Sequence, residues 1–222
     1  MKEATAILVF AKAPVPGLAK TRLIPALGPE GAARFQAALT RRSLTTACMA
    51  FPSAAIQNMV LLYCTPNSHD PWFRGLATEF SISLRDQHGA DLGARMDHAL
   101  SDALDTYKQA ILIGTDCPVL TPDLLRTVDL ALTDGADTVI VPAEDGGYVL
   151  VALKRPFAEL FTDIEWGTDQ VLSASLKRID TDGRPVRIME PLWDIDEPGD
   201  LQRLKERHPD ICESLTKPEG SR

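Results

Sequence analysis

The 222-residue chain is poor in the residues that build disulfide-bonded or zinc-bound scaffolds. It has four cysteines and four histidines, without a CxxC pair or a spacing typical of zinc ligands. We therefore expect reduced thiols and a cytoplasmic protein. Long hydrophobic runs are also missing, so we expect no membrane span. The N-terminus carries Glu3 and only a short apolar run before Lys12, which is not typical of a signal peptide.

The chain also has no excess of positive charge. The 23 Lys and Arg residues face 31 Asp and Glu residues, a formal net charge of −8. A polyanion is not attracted to such a chain, so we expect no nucleic-acid partner. Acidic residues are in turn absent from residues 4–29, where Lys12, Lys20 and Arg22 lie. This local cationic segment predicts a binding site for a small anion.

Apolar runs and amphipathic segments alternate along the chain. Strands are predicted at 6–10, 59–64, 110–114, 138–142 and 148–153, with a weaker one at 186–190. Helices are predicted at 30–50 and 91–107, and after Thr121, Thr168 and Glu197. The alternation predicts one α/β domain over residues 1–208, with a mostly parallel sheet covered on both faces. Residues 209–222 are predicted to form a polar, frayed tail.

The segment FAKAPVPGLAKTRL, residues 10–23, directly follows the first predicted strand. Ligands of doubly wound folds bind beyond the carboxyl ends of the strands, which is where this segment lies. Because proline has no N–H, backbone donors to a phosphate would come from Val15, Gly17, Leu18, Ala19 and Lys20. The glycines required for a Walker A or a GxGxxG motif are absent. The alternative is a solvated loop with incidental lysines.

Two carboxylate segments also follow predicted strands. Asp116 lies in GTDCPVLTPDLL, where Thr121 is the better cap for the next helix. Asp194 and Asp196 lie in WDIDEPGD, where Glu197 precedes Pro198 and takes the capping position. Asp116 and Asp196 could together hold one Mg²⁺ while nucleotide phosphates complete its shell. A surface charge is the alternative for Asp194.

Three further segments carry weaker signals. Gly146 and Gly147 allow either a close backbone approach to substrate or a tight hairpin turn. Arg95, near a predicted helix start, is a candidate for base or phosphate contact. Trp166 is a candidate for stacking on a ligand ring, although burial is the commoner fate of tryptophan.

Taken together, these motifs resemble the bacterial glycosyltransferase-like proteins of the GT-A, nucleotide-diphospho-sugar transferase fold. FAKAPVPGLAKTRL, QHGADLGARM, GTDCPVLTPDLL, EDGGYVLVAL, IEWGT and WDIDEPGDL occur in the family's order from residue 6 to about 204. More distantly, the chain is similar to phospholactate guanylyltransferase and the molybdenum-cofactor nucleotidyltransferases. In this chain prolines stand where the usual nucleotidyltransferase loop has glycines, and Glu197 stands where threonine is expected.

The resemblance implies a single three-layer, Rossmann-like GT-A domain with a mostly parallel mixed sheet. It implies metal ligands at Asp116 and Asp196 for Mg²⁺ or Mn²⁺, and catalytic roles for Lys20, Arg22 and Asp116. The candidate nucleotide contacts are Lys12, Pro16, Gly17, Leu18, Lys20, Arg95, Gly146 and Gly147. We expect nucleotidyl transfer from a nucleoside triphosphate to a phosphorylated small-molecule acceptor. A glycosyltransferase with a nucleotide-sugar donor and a non-catalytic nucleotide-binding module are the alternatives.

Overall fold

The computed structural model describes residues 3–51 and 59–216. Seven strands form one sheet: β1 (Glu3–Lys12), β2 (Val60–Thr65), β3 (Ser83–Asp86), β4 (Tyr107–Ile113), β5 (Thr138–Pro142), β6 (Tyr148–Leu153) and β7 (Val186–Ile188). Within these residues the α-helices are α1 (Ile24–Ala50), α2 (Pro71–Phe80), α3 (Leu92–Thr106), α4 (Pro122–Thr133), α5 (Val171–Asp182), α6 (Pro198–Arg207) and α7 (Pro209–Thr216). Short 3₁₀ turns cover Thr21–Leu23 and Ala158–Phe161.

The sheet has the strand order β3-β2-β1-β4-β6-β5-β7. All neighbouring pairs are parallel except those of β6, which runs antiparallel to both β4 and β5. In β1, Ile7 is opposite Val60 of β2 on one side and Ile111 of β4 on the other. This topology confirms the predicted α/β class with a mostly parallel mixed sheet.

Both faces of the sheet are buried because strand side chains alternate between them. Ile7, Val9 and Ala11 pack into one apolar cluster with residues of α1, α2 and α4. Ala6, Leu8 and Phe10 pack into a second cluster, which contains Met96 and Leu100 of α3. The sheet is therefore the middle of three layers, and its carboxyl edge is left for a site.

Helix caps fix the chain at that edge. The Thr121 side chain accepts a hydrogen bond from Leu124 N at 3.2 Å, so it caps α4 and Asp116 is not needed there. Glu197 caps α6, and Asp200 accepts hydrogen bonds from the backbone N–H groups of Asp196 and Glu197 at 3.0 and 2.8 Å. Both capping predictions are confirmed.

The structure departs from the predicted elements in several places. Residues 209–216 form α7 and bury Leu215, so the prediction of a frayed tail is wrong for them; residues 217–222 lie outside the described part. β3 and α2 were not predicted. α1 begins at Ile24 rather than residue 30, with a kink where Gly28 has φ 69°. β7 covers Val186–Ile188 rather than 186–190.

Two further expectations concern the cysteines and membrane-spanning helices. All four cysteines are unpaired. Among the helices of the described residues, none combines the length and the hydropathy needed to span a bilayer.

Candidate active site

A cavity of about 560 Å³ opens at the carboxyl ends of β1, β2 and β4. It brings together most of the residues singled out from sequence: Lys12, Leu18, Lys20, Arg22, Arg95, Asp116, Gly147, Trp166, Asp194 and Asp196. Pro16, Gly17 and Gly146 are not among its lining residues. They lie beside it, in the loop after β1 and in the turn before β6.

Several backbone N–H groups of the loop after β1 donate hydrogen bonds to carbonyl groups of the same loop. The N–H groups of Leu18 and Ala19 both donate to the carbonyl of Val15 at 3.0 Å, and Val15 N donates to Ala13 O at 2.9 Å. Of the five N–H groups predicted as possible donors to an anion, three are therefore already hydrogen-bonded within the loop. Gly17 and Lys20 are the two with no acceptor among the described residues.

Lys20 occupies the centre of the charged part of the cavity. Its Nζ lies 3.0 Å from Asp116 Oδ1, 3.0 Å from Asp196 Oδ1 and 2.5 Å from the carbonyl oxygen of Ile195. The side chain is only 4% exposed. Burial alone would lower the pKa of Lys20, but the two carboxylates outweigh it and raise that pKa above its ordinary value.

The Lys20 backbone is left-handed, with φ 45° and ψ 49°. This conformation is uncommon for a residue other than glycine, asparagine or aspartate and costs on the order of 1 kcal/mol. The Lys20 carbonyl accepts a hydrogen bond from Leu23 N at 2.9 Å, the first bond of the following 3₁₀ turn. The conformation directs the side chain inward between the two carboxylates.

A backbone bond fixes the two carboxylate segments to each other. Ile195 N donates to the carbonyl of Asp116 at 2.8 Å, across the gap between the segment after β4 and the segment before α6. Asp116 and Asp196 are 43% and 47% exposed in their side chains, so both carboxylates face the cavity. Arg22 reaches the other oxygen of Asp196 at 3.3 Å from an exposed position.

Buried polar residues support Asp116 from beneath. Gln36 of α1 donates to Thr115 Oγ1 at 3.0 Å, and Thr115 Oγ1 lies 3.3 Å from Asp116 Oδ1. Gln36 and Thr115 are each 5% exposed. Sequence analysis missed Gln36; a glutamine on the inner face of an otherwise alanine-rich helix was the available signal.

Two more carboxylates line the cavity beside this group. Burial raises the pKa of Asp194 to about 6, helped by the nearby charges of Asp145, Asp196 and Asp116. Asp194 is therefore part of the site rather than an isolated surface charge. Asp145, which sequence analysis missed, accepts a hydrogen bond from Gly147 N at 2.9 Å in the turn before β6.

The paired glycines have a structural explanation. Ala143 N donates to Gly147 O at 3.0 Å and Gly146 N to Ala143 O at 3.2 Å, so they form the β5–β6 turn. Gly146 has φ 92°, and a Cβ there would lie 2.3 Å from the Asp169 carbonyl oxygen. This close approach is to another backbone segment of the chain. Gly147 itself lines the cavity.

The opposite wall is more apolar. Trp166 packs edge to face against Tyr148, with ring centroids 6.3 Å apart, and both line the cavity with Leu92. Leu92 is 45% exposed at the start of α3. Arg95, one turn further, donates from Nε to Gly89 O at 3.3 Å. The cavity thus has a charged side around Lys20 and an apolar side around Trp166.

The donor set fits a hard divalent cation whose remaining ligands come from a bound molecule. Asp116 and Asp196 each direct one carboxylate oxygen at a single cationic position, which the Lys20 ammonium occupies. Across residues 3–51 and 59–216, no group of three or more His, Cys, Asp or Glu side chains is arranged to hold a metal. Asp116 and Asp196 could therefore supply two ligands of a metal, but not a complete coordination shell.

A family model described as "Uncharacterized protein conserved in bacteria (DUF2064)" matches residues 50–168. The chain belongs to this family. The match includes Asp116, Asp145 and Trp166, whereas the loop after β1 and Asp196 lie outside it. No curated protein matches the chain.

Solved structures extend the similarity to nearly the whole chain. A candidate nucleotide-diphospho-sugar transferase from Desulfovibrio desulfuricans G20 is 25% identical, with TM-score 0.83 over 96% of this chain and 93% of that one. A nucleotidyl transferase from Methanothermobacter thermautotroptrophicus is 16% identical, with TM-score 0.62 over 91% and 96%. A manganese complex of a protein from Mycobacterium tuberculosis H37Rv is 16% identical, with TM-score 0.54 over 92% and 99%.

These similarities bear out the GT-A-like resemblance found in the sequence. The first two of these structures are described as transferases of nucleotides or nucleotide sugars, and the third was solved with manganese. The chain has a transferase fold and is similar to these two transferases over 96% and 91% of its length.

Proposed function

We propose that the protein is a Mg²⁺-dependent nucleotidyltransferase that moves a nucleoside monophosphate from a triphosphate to a phosphorylated small-molecule acceptor. The observation that carries this proposal is the convergence of Lys20, Asp116 and Asp196, with Lys20 Nζ 3.0 Å from both carboxylates. Lys12 and Arg22 line the same cavity. Cations for phosphates and carboxylates for a metal are the two charge types that phosphoryl chemistry needs.

The transfer forms one P–O bond and breaks another. An oxygen of the acceptor phosphate attacks the α-phosphorus, and the bond from that phosphorus to the bridging oxygen breaks as pyrophosphate leaves with the electron pair. The attacking phosphate is already ionised at neutral pH, so a general base is not required. Lys20 and Arg22 neutralise the charge that develops on the leaving pyrophosphate, and Lys12 attracts the triphosphate to the loop.

Asp116 and Asp196 would hold the metal. Bound there, Mg²⁺ or Mn²⁺ would neutralise phosphate charge and polarise the α-phosphoryl group. The solved manganese complex of a protein with this fold supports a divalent cation without selecting between the two metals. The Gln36–Thr115 pair holds Asp116 in place, and Asp200 holds the backbone of Asp196.

Glycosyl transfer from a nucleotide sugar is the second candidate. The similarity to a candidate nucleotide-diphospho-sugar transferase at TM-score 0.83 favours it. Against it, the segment after β4 has one carboxylate, in Thr115-Asp116-Cys117, where such enzymes commonly carry a D-x-D pair. In either case we infer a cytoplasmic enzyme, in keeping with four unpaired thiols.

The deciding experiment is a thermal-shift panel of nucleoside triphosphates and nucleotide sugars, each with and without Mg²⁺. Under the nucleotidyl proposal, one triphosphate raises Tm only with Mg²⁺, by an amount set by mass action. The selected triphosphate then releases pyrophosphate when phosphorylated acceptors are added. Shifts confined to nucleotide sugars would reject nucleotidyl transfer and favour the second candidate.

Two variants separate catalysis from binding alone. Asp116→Asn should abolish pyrophosphate release in a folded protein, whereas Asp105→Asn, at an exposed position of α3, should leave it unchanged. A non-catalytic nucleotide-binding module would instead keep its Tm shift in Asp116→Asn and release no pyrophosphate with any acceptor. Full turnover in Asp116→Asn would reject the assignment of the site.

A further inference from the structure

The Lys20 ammonium is enclosed by oxygen atoms in the manner of a coordinated cation. Three oxygens surround its Nζ: Asp116 Oδ1 at 3.0 Å, Asp196 Oδ1 at 3.0 Å and the Ile195 carbonyl oxygen at 2.5 Å. Carboxylate and carbonyl oxygens are also the preferred protein ligands of hard divalent cations. We refer to these three atoms as the oxygen cage. Its backbone oxygen, from Ile195, has no signal in the sequence.

The cage has room for one cation at a time. Mg²⁺ binds oxygen at about 2.0–2.1 Å, whereas the ammonium hydrogen-bonds the two carboxylates at 3.0 Å, so a metal in the cage would lie almost on top of Nζ. Two positive charges at such a separation repel each other strongly in a partly buried site. Metal binding therefore requires Lys20 to leave.

We propose that Lys20 is an internal cation that holds the oxygen cage until a nucleotide draws it away, so that metal and nucleotide bind together. The inference rests on the proposed function, because it states how Lys20 gives way to metal and nucleotide in that same site. A metal arriving alone must remove a 4%-exposed lysine from three oxygen partners and leave its charge uncompensated. Triphosphate oxygens give the ammonium a new partner, and they also supply the metal with its remaining ligands.

The surrounding backbone permits the exchange. The bond from Ile195 N to Asp116 O joins the two sides of the cage without involving Lys20. Asp200 holds the Asp196 N–H, and Gln36 with Thr115 supports Asp116, again without Lys20. The cage therefore persists when Lys20 departs, and only a side chain must move.

The coupling has a thermodynamic consequence. If phosphate contacts remove Lys20 from the cage, nucleotide strengthens metal binding by the same factor as metal strengthens nucleotide binding. A variant without the ammonium loses the competitor, so it should bind metal tightly even when no nucleotide is present. A substitution of Lys20 that increases the affinity for metal would show that the lysine competes with the metal.

The test measures binding of Mn²⁺ alone, followed by electron paramagnetic resonance of the unbound ion, with no nucleotide present. Lys20→Met should bind Mn²⁺ at least about tenfold more tightly than wild type. Lys12→Met is the matched control: it removes one positive charge from the same loop, but Lys12 Nζ donates to Leu18 O, away from the cage. Its gain should stay within about threefold, the effect of a screened charge.

A double variant assigns the gain to the cage. Adding Asp116→Asn to Lys20→Met should abolish the increase in Mn²⁺ affinity. Equal affinities in Lys20→Met and Lys12→Met, a gain that survives Asp116→Asn, or no Mn²⁺ binding by any variant would each overturn the proposal. If Lys20→Met does not fold, Lys20→Gln keeps a neutral donor to the carboxylates and is held to the same criteria.

The Mn²⁺ affinity is measured without turnover, so the Lys20 proposal and the transferase proposal can fail separately. Tight Mn²⁺ binding by Lys20→Met, with no Tm shift from any nucleotide in the panel, would support the displacement of Lys20 and reject the transferase proposal. A positive nucleotide panel with unchanged Mn²⁺ affinity would support the transferase and reject the displacement of Lys20.

Discussion

At Gly93 the chain has no room for a side chain. A Cβ there would lie 2.7 Å from both the Phe161 carbonyl oxygen and the Trp166 ring. Trp166 therefore depends on Gly93 for its place in the wall of the cavity. At the residue scale, this contact decides whether the apolar side of the cavity keeps its shape.

Gly93→Ala should destabilise the protein by about 1–3 kcal/mol, because Trp166 or the backbone of residue 161 must shift. Gly75→Ala is the control: Gly75 lies exposed within α2, where an added Cβ would meet no other atom within 4 Å, and alanine there should stabilise the helix by about 0.5–1 kcal/mol. Urea unfolding followed by tryptophan fluorescence measures both. Equal stabilities of the two variants would contradict the contact.

Cys64 and Cys117 should be unreactive in the native protein. Burial raises the pKa of each thiol to about 12, so at pH 8 only about one molecule in ten thousand carries the thiolate at either position. Cys212 is less buried. Iodoacetamide at pH 8 should therefore label Cys212 first, and mass spectrometry of peptides reports the order.

The pH dependence checks the cause. Below a pKa of about 12, labelling of Cys117 should rise about tenfold with each pH unit while the fold persists. In urea, all four cysteines should react at similar rates. Rapid labelling of native Cys117 at pH 8 would show that its thiol is not held in a buried, neutral form.

At the scale of elements, α7 is held by one buried side chain. Leu215 is 6% exposed and packs into a cluster with Leu39 of α1 and Leu204 of α6. Leu215→Ala should cost about 2 kcal/mol of unfolding free energy. Leu130→Ala, the same change at a 58%-exposed position of α4, should cost less than about 0.5 kcal/mol. Thermal unfolding compares the two variants, and similar losses would contradict the stabilising role of Leu215 burial.

Elements with a strong apolar pattern or a clear capping residue could be predicted from the sequence, whereas β3, α2 and α7 could not. β2, β4, β5 and β6 contain continuous apolar runs because both faces of the sheet are covered. β3 has four residues, Ser83–Asp86, with no such run, and it forms by pairing with β2. α7 was mistaken for a tail because its eight residues show one buried leucine among polar neighbours.

The charged side of the site could also be predicted, because its residues follow strands that end at one edge. Lys20, Asp116 and Asp196 meet there. Asp145 lies in the turn that follows β5, and β5 ends at the same edge because β6 is antiparallel to both β4 and β5. It was not predicted because only the paired glycines of that turn were interpreted. The Ile195 carbonyl escaped prediction because a backbone oxygen has no signal in a sequence.

At the scale of the whole molecule, the net charge bears on whether a long polyanion can bind. The chain carries a net charge of −8, and Lys12, Lys20, Arg22 and Arg95 line the cavity together with an equal number of carboxylates, Asp116, Asp145, Asp194 and Asp196. A labelled single-stranded RNA should therefore show no change in fluorescence anisotropy when the protein is added at physiological salt, because its phosphates meet the acidic exterior. Saturable binding of that RNA would contradict the prediction.

The bond between Ile195 N and Asp116 O joins two segments that lie far apart in the sequence. It ties together the segments that carry the charged side of the site, while Trp166 and Tyr148 on the far wall belong to other stretches of chain. The charged side is therefore held by hydrogen bonds between its own segments, whereas the far wall is held by packing, with Trp166 against Gly93. A substitution in the far wall should therefore change which molecules fit the cavity and leave the contacts of Lys20 in place.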